Sequence, residues 1–481
     1  MASSVAVPLW LLLIMAAATL WAALSWLLIP TVRWFFRRRV NQLIEEVNRR
    51  LDLQLPTFSL TKRQVLIDRL AYDPAVLAEV REYCEETGTP WAVGLRQAET
   101  YAREIVPAFN AYVYFRIGHG LARAVVRRFY RVRLAHQEGT GRGQLDRDAS
   151  VVFVINHRSN MDYMLVTYLA EEQAALSYAV GEWARVWPLE PLIRAMGAYF
   201  VRRDARGNTL YHRVLERYVQ MAVDGGVVQA VFPEGGLSRD GHPRKPRIGL
   251  VDYMLRNFDP GGSRDILFVP VGLNYDRVLE DRTLLAEKPQ REQRRSTVRA
   301  MGEALVFLAR NLGRRLRGRR PQPTYAAAGF GAPVSARAWF RARNQNPRVL
   351  GHRERLGLSR DFVQHLMGRV ASVMPVLPVP LVCWLLVHRD GMTTRSGLES
   401  ACREAIAALQ ALDEPPAIPY AEPRHAVAIA LAQLADRDIV TETPAGALDW
   451  SSTAQPLLTY YAASLEHLLP PSAAERGAEK S

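Results

Sequence analysis

Between about residues 150 and 274 the chain alternates short β-branched runs with amphipathic helical stretches, and this alternation restricts the fold more than any other feature. The runs lie at 151–155, 177–180, 198–201, 227–232 and 267–271. Residues 209–223 separate the third from the fourth. There Leu210, Val214, Tyr218 and Ala222 recur every four positions, and Gly225 and Gly226 supply a C-terminal stop. The pattern reads as a βαβ crossover and predicts an α/β fold, with a mainly parallel central sheet and flanking helices.

The N-terminal end carries a second strong signal. Residues 5–29 hold no charge and are rich in Leu, Ala and Trp, and Arg33, Arg37, Arg38 and Arg39 follow. At about 1.5 Å per residue a helix of this length exceeds the roughly 30 Å hydrocarbon core, so the stretch predicts a transmembrane helix. The arginines then keep the rest of the chain in the cytoplasm, anchored to the inner (plasma) membrane by one N-terminal span. The bland alternative is a hydrophobic helix buried in a soluble fold. Over 481 residues, 62 Lys and Arg against 48 Asp and Glu leave a net charge of +14, which favours polyanions: nucleic acid, phospholipid head groups or phosphorylated substrates. Cys84, Cys383 and Cys402 are odd in number, far apart and in no metal-ligand spacing, which argues against a disulfide scaffold, a zinc module or any other metal site.

The chain divides into an anchor with a basic flank (1–40), a helical N-terminal region (41–147), the α/β core (148–345), a helical extension with an apolar segment (346–412), and a linker with a helical C-terminal tail (413–481). Helices are expected over 62–77 and 111–134; the arginine-lined side of the latter is either a solvated face or one lying against anionic lipid. Residues 288–320 form a further Arg-rich helical stretch without interleaved aromatics or a recognition motif, so nucleic acid is not an expected partner. Residues 370–387 are uncharged but interrupted by Pro375, Pro378 and Pro380, which predicts a buried or interfacial helix beginning near Pro380 and not a second span. The tail at 470–481 is expected to be disordered.

The chemistry gathers where strands end, the place open α/β sheets put their sites. After 151–155 come Asn156, His157, Arg158, Ser159, Asn160, Met161, Asp162 and Tyr163. Side chains five apart point about 140° away from each other on a regular helix, but in a strand-to-helix turn they meet. There Asp162 would fix the tautomer of His157 and leave its other nitrogen as a base toward a hydroxyl. A His and an Asp at this spacing are equally compatible with a turn-capping Asp beside a surface His. Their company strengthens the catalytic reading: Gly197 to Arg203 with two arginines, Phe232-Pro233-Glu234-Gly235-Gly236-Leu237-Ser238-Arg239, and Val269 to Arg277. A phosphate-bearing substrate whose hydroxyl is deprotonated accounts for this set.

These four blocks resemble the four motifs of the glycerolipid acyltransferases: HxxxxD at His157 and Asp162, the Arg block at 197–203, FPEG at Phe232 to Gly235, and the Pro-containing strand at 269–271. Gly-x-x-Phe-x-Arg-Arg, Ser-Arg-x-Gly after the EGG, and Val-Pro-Val followed by Tyr-Asp-Arg are most similar to the glycerol-3-phosphate and dihydroxyacetone-phosphate branch, and residues 328–333 resemble that branch's FGxP segment. The resemblance implies a membrane-bound enzyme of phospholipid biosynthesis. It would move a fatty acyl group from acyl-CoA or acyl carrier protein to glycerol 3-phosphate, with no cofactor; lysophosphatidate or another lysolipid is the alternative acceptor. A non-catalytic lipid-binding protein is a third possibility, though it would need neither the His-Asp pair nor the arginines. His157 and Asp162 would be catalytic, with Arg202, Arg203, Glu234, Gly235, Ser238 and Arg239 binding substrate. The family usually has Arg where this chain has Leu237; Arg239, Arg244, Lys245 and Arg247 lie close enough in sequence to compensate.

Overall fold

A computed structural model describes residues 57–111, 113–136, 148–169, 176–181, 185, 189–202, 205, 207–285, 324–389, 394–444 and 446–470. The apolar run at 5–29, the stretch 288–320, Arg203 and the tail from 471 lie outside them. The description below concerns one unit, Pro56–Ser481.

Three helices come first, α1 (Arg63–Ala71), α2 (Pro74–Thr87) and α3 (Trp91–Ile105). The single helix expected over 62–77 is thus split. Asp73 caps α2, its carboxylate accepting from the Ala75 N–H at 3.0 Å, and Pro74 occupies the first helical position, where its missing N–H costs nothing. A helix also fails to run through 111–134: α4 (His119–Phe129) ends where Tyr130 turns extended, and β1 (Arg131–His136) follows. In β1 Val132 is half-buried while Arg131 and Arg133 face out, a period of two that the run of arginines hides when it is read as one helix face.

The central sheet is built from β1, β2 (Ser150–Ile155), β3 (Ser177–Gly181), β4 (Tyr199–Val201), β5 (Gln229–Val231), β6 (Ile266–Tyr275), β7 (Tyr325–Phe330) and β8 (Val334–Ser335). Their order is β1-β7-β6-β2-β5-β3-β4, with β8 beside β6. From β6 to β4 all pairings are parallel; β7 and β8 run antiparallel to β6, and β1 parallel to β7. The expected parallel core is therefore present with a reversed edge. Helix α5 (Asp162–Leu169) follows β2, and α6 (Thr209–Asp224) is the crossover from β4 to β5, passing β3. Asn208 caps α6 by accepting from Tyr211 N at 2.8 Å, and its Leu210, Val214, Tyr218 and Ala222 are all buried.

Both faces of the sheet are covered, as parallel strands require. Along β2, Val152 and Val154 face the core shared with α1, α2, α3 and α6, whereas Phe153 and Ile155 face the opposite one. That second core is closed by the C-terminal helices α8 (Pro378–His388), α9 (Arg395–Gln410), α10 (Pro423–Ala435) and α11 (Gln455–Ala462), which come after α7 (His352–Ser372). Residues 413–469 are accordingly part of the main core. In α8, residues 378–386 are all buried; eleven residues span only about 16 Å, so this is a core helix. Among the described residues no helix is long and apolar enough to cross a membrane.

Two contacts fix the C-terminal half on the sheet. A Cβ on Gly329 would stand 1.9 Å from the Val373 carbonyl oxygen, so the chain between α7 and α8 crosses β7 only where a side chain is missing. Asp276, just past β6, accepts from Val379 N at 2.9 Å and from Gln433 Nε2 at 3.0 Å, joining the sheet to α8 and α10. Full burial pushes its carboxyl up to about 7.

Candidate active site

Strands β2 and β5 end at one level, where Ile155 pairs with Val271 of β6 and Val154 with Val231. As β2 ends, Asn156 continues the ladder with its side chain. Its Nδ2 donates to Leu273 O at 2.9 Å and its Oδ1 accepts from Leu273 N at 2.7 Å, which fixes the point where the chain turns.

The turn then folds back on itself. Asp162, fully buried at the start of α5, accepts through Oδ2 from His157 Nδ1 at 2.8 Å and from the backbone N–H groups of Arg158 at 2.8 Å and Ser159 at 3.0 Å. A carboxylate oxygen facing Nδ1 requires the proton there, so Nε2 is left as the acceptor. Among the described residues none hydrogen-bonds Nε2, and the side chain keeps a little contact with solvent. The ring is held by Phe232, whose centroid is 4.7 Å away, and by Tyr163, edge-on at 5.5 Å.

Side chains from other strands complete the support. Tyr275 Oη donates to Asp162 Oδ1 at 2.6 Å. Glu280 accepts from Ser159 Oγ at 2.8 Å and from Asn160 N at 3.2 Å, and its carboxyl is raised above the usual range by burial. Arg158 lies over the Tyr460 ring at 5.4 Å and donates to Gly241 O at 3.1 Å.

The loop after β5 lies against this turn. Glu234 Oε1 accepts from His157 N at 3.1 Å and Oε2 from Arg244 N at 3.1 Å; burial raises its carboxyl, and these bonds offset part of that rise. Gly235 has φ +64°, a left-handed backbone, and a Cβ there would stand 2.9 Å from Arg247 Cδ. Ser238 N donates to His157 O at 3.1 Å, while its hydroxyl donates to His242 O at 2.8 Å and accepts from Gly241 N at 3.0 Å. Arg239, Arg244, Lys245 and Arg247 are exposed around the loop. Gly241 packs so closely on the C-terminal segment that a Cβ would meet Tyr460 O at 1.9 Å.

Of the residues singled out from sequence, His157, Asp162, Glu234 and Ser238 are joined in one network, and Gly235 and Arg239 flank it. Ser238 spends its hydroxyl inside the loop. Arg202 is engaged elsewhere: its guanidinium grips Glu104 through Nε at 2.8 Å and Nη2 at 2.5 Å, between the rings of Tyr101 and Tyr211. The expected free phosphate ligand is therefore an ion pair with the last turn of α3, and the bonds keep the guanidinium firmly charged. Burial alone would lift the Glu104 carboxyl, but Arg202 and Arg185 bring it below its usual value. Arg203 lies outside the described residues. Among the described residues no group of His, Cys, Asp and Glu has the makings of a metal site.

Sequence reading missed Tyr275, Glu280, Asn156 and Glu104. Asn156 and Tyr275 sit in blocks already singled out, without a role given to either; Glu280 and Glu104 carry no motif signal.

With this geometry in hand, comparison with known proteins is informative. The sequence model of the Acyltransferase family matches residues 137–274, a segment holding the His157 turn, the Arg block and the loop after β5 but not Tyr275, Asp276 or Glu280. Over those residues the chain is similar to the acyltransferases. Among curated relatives, the glycerol-3-phosphate acyltransferase of Aeromonas hydrophila is 29% identical over 258 residues, covering 53% of this chain and 32% of its own length. That of Pseudomonas aeruginosa is 31% identical over 253 residues, 52% of this chain and 30% of its own. The chain thus spans about a third of the length of the curated relatives it matches. The crystal structure of the 1-acyl-sn-glycerophosphate acyltransferase from Thermotoga maritima aligns with 61% of this chain and 92% of its own at 15% identity, with a TM-score of 0.29, too low to carry an argument.

Proposed function

We propose that this protein is a glycerolipid acyltransferase that moves a fatty acyl group from a thioester, on coenzyme A or acyl carrier protein, to a hydroxyl of glycerol 3-phosphate. The observation that carries the reading is the His157–Asp162 pair: Nδ1 is held at 2.8 Å and Nε2 is left open. The acceptor hydroxyl attacks the thioester carbonyl as Nε2 takes its proton. The tetrahedral intermediate then collapses, and the departing thiolate takes that proton from the imidazolium. Such general-base help is worth about 10²- to 10⁴-fold. Gly235 N already donates to Phe232 O at 3.0 Å, so the backbone N–H groups of Gly236 and Leu237 are the candidates for stabilising the oxyanion. Arg239 and Arg244, exposed on the loop that carries Glu234, are the candidate ligands of the acceptor phosphate; Arg202 joins them only if phosphate displaces Glu104. Leu237, in place of the family's usual Arg, favours one second reading, an acceptor such as lysophosphatidate whose acyl chain uses an apolar contact. The run at 5–29 supports membrane attachment, which would hold the site where the acylated product dissolves.

The purified chain, given a radiolabelled acyl-CoA or acyl carrier protein thioester with glycerol 3-phosphate, dihydroxyacetone phosphate or lysophosphatidate, distinguishes these readings. Highest kcat/KM with glycerol 3-phosphate is the expected result. Transfer to lysophosphatidate alone installs the second reading, and no transfer to any acceptor overturns both.

A further inference from the structure

Asp162 has two oxygens, and the His157 turn uses only one. Oδ2 carries the three bonds from within residues 157–159, whereas Oδ1 takes its hydrogen bond from Tyr275 Oη at 2.6 Å, across 113 residues of sequence. The strand geometry makes this reach possible. Strand β2 stops pairing at Ile155 opposite Val271, and β6 continues four residues further, so Tyr275 stands above the end of β2, level with the turn. The register beyond that point is held by β7, where Tyr275 pairs with Ala326, and the ring packs against Tyr130 at 5.3 Å.

We propose that Tyr275 is a positioning residue of the acyl-transfer site, acting through Asp162 as the third member of a Tyr275–Asp162–His157 chain. It rests on the acyltransferase reading given above. A fully buried carboxylate that must support an imidazolium needs both oxygens occupied by donors, because an unpaired buried oxygen carries its full desolvation cost. Without the phenol, Oδ1 would be that oxygen. Burial and the adjoining Asp162 charge hold the phenol protonated well above its usual range, so it remains a donor at every working pH. Among the described residues the other titratable groups facing the pair are Arg158 from the turn, Tyr163 of α5, Glu234 from the loop after β5, Glu280 beyond β6, Tyr130 after α4 and Tyr460 of α11. None of these supplies Oδ1: Glu234 and Glu280 are acceptors for the turn's own N–H and O–H groups, and Tyr130 Oη donates to Arg277 O at 2.8 Å.

The chain makes a directional prediction. Removing one donor from the carboxylate concentrates its negative charge toward His157, so the coupled pair binds its proton more tightly. In Tyr275→Phe the acid limb of kcat/KM should move up by about one pH unit and kcat should fall about tenfold, with KM for the acceptor within about twofold. Tyr130→Phe, which keeps the ring pair and removes a neighbouring buried hydroxyl that does not touch Asp162, should leave the acid limb in place. An activity-independent arm uses the full chain with ring-¹⁵N histidine: the far-downfield Nδ1 proton of His157, assigned by its loss in His157→Ala, should shift in Tyr275→Phe and not in Tyr130→Phe. An unmoved acid limb together with an unmoved Nδ1 resonance in Tyr275→Phe overturns the proposal, as does an equal shift in Tyr130→Phe. If the wild-type chain transfers no acyl group, the proposed function fails, and the resonance alone still decides whether Tyr275 governs the pair.

Discussion

Residues 156–162 and residues 233–247 both leave the carboxyl end of a central strand, and they are finished differently. In the first, Asn156, His157, Arg158, Ser159 and Asp162 are buried, and the side chains of Asn156, His157, Ser159 and Asp162 are tied to the backbone or to a partner from another strand. In the second, Glu234 and Ser238 are buried struts, but Arg239, Arg244, Lys245 and Arg247 stand in solvent, and among the described residues Arg239 has no hydrogen bond or ion pair. A proton-transfer pair works only at one geometry, so it is built into the core. A charge that receives an anion must be free before the anion arrives. The two regions are coupled through one carboxylate, that of Glu234, which holds an N–H from each.

Five variants test this division. The largest effect belongs to His157→Ala: kcat should fall about 10²- to 10⁴-fold while the thermal midpoint stays within a few degrees, as read by single-turnover assay and calorimetry. Asp162→Ala should lose as much activity and also unfold more easily, by about 3–5 kcal/mol in a urea titration, because it strands three donors and a phenol in the interior. Equal stability of the two variants would show that the turn is not held by the carboxylate. Glu234→Gln sits between the regions; losing one of its two acceptor sites should cost about 1–3 kcal/mol and alter kcat and KM together. Its carboxyl is raised by burial, so the folded chain holds that proton more readily than the unfolded one. Its contribution to stability therefore declines as pH rises from the ordinary carboxylate range through the raised value, and the Gln variant should lose that part of the slope.

Effects confined to the open loop should be smaller. Arg239→Ala with Arg244→Ala should raise KM for the phosphorylated acceptor about tenfold and leave kcat and the urea midpoint nearly unchanged. A drop in kcat without a change in KM would move the phosphate site away from this loop. Least of all, Leu237→Arg should lower KM for glycerol 3-phosphate a few-fold, measured against lysophosphatidate as the competing acceptor.

Much of the sheet was legible because parallel strands buried on both faces announce themselves as β-branched runs, and α6 because apolar residues recur every four positions and two glycines end it. What escaped was decided by distant partners. Residues 131–136 become a strand only because β7 offers them an edge, and β7 exists as Ala-rich sequence with little β-branched character of its own. The site divides the same way. His157 and Asp162 are neighbours within one turn, so spacing sufficed to pair them. Arg202 could be placed at a strand end but not oriented, since Glu104 comes from a helix nearly a hundred residues earlier. Tyr275 was visible within a motif, yet its role depends on how far β6 outruns β2, a register no single sequence exposes.

The close seat of Gly241 on the Tyr460 carbonyl has a practical meaning for dissecting this protein. The segment that matches the family model, 137–274, ends well before α8 and α11, yet the loop after β5 rests on α11, and Asp276, just past β6, is pinned to α8. Cut out along those boundaries, it would present one bare apolar face of the sheet to water and let the loop lose its footing. The minimal working fragment extends at least to Leu469, and a shorter clone should be expected in inclusion bodies, not in the soluble fraction.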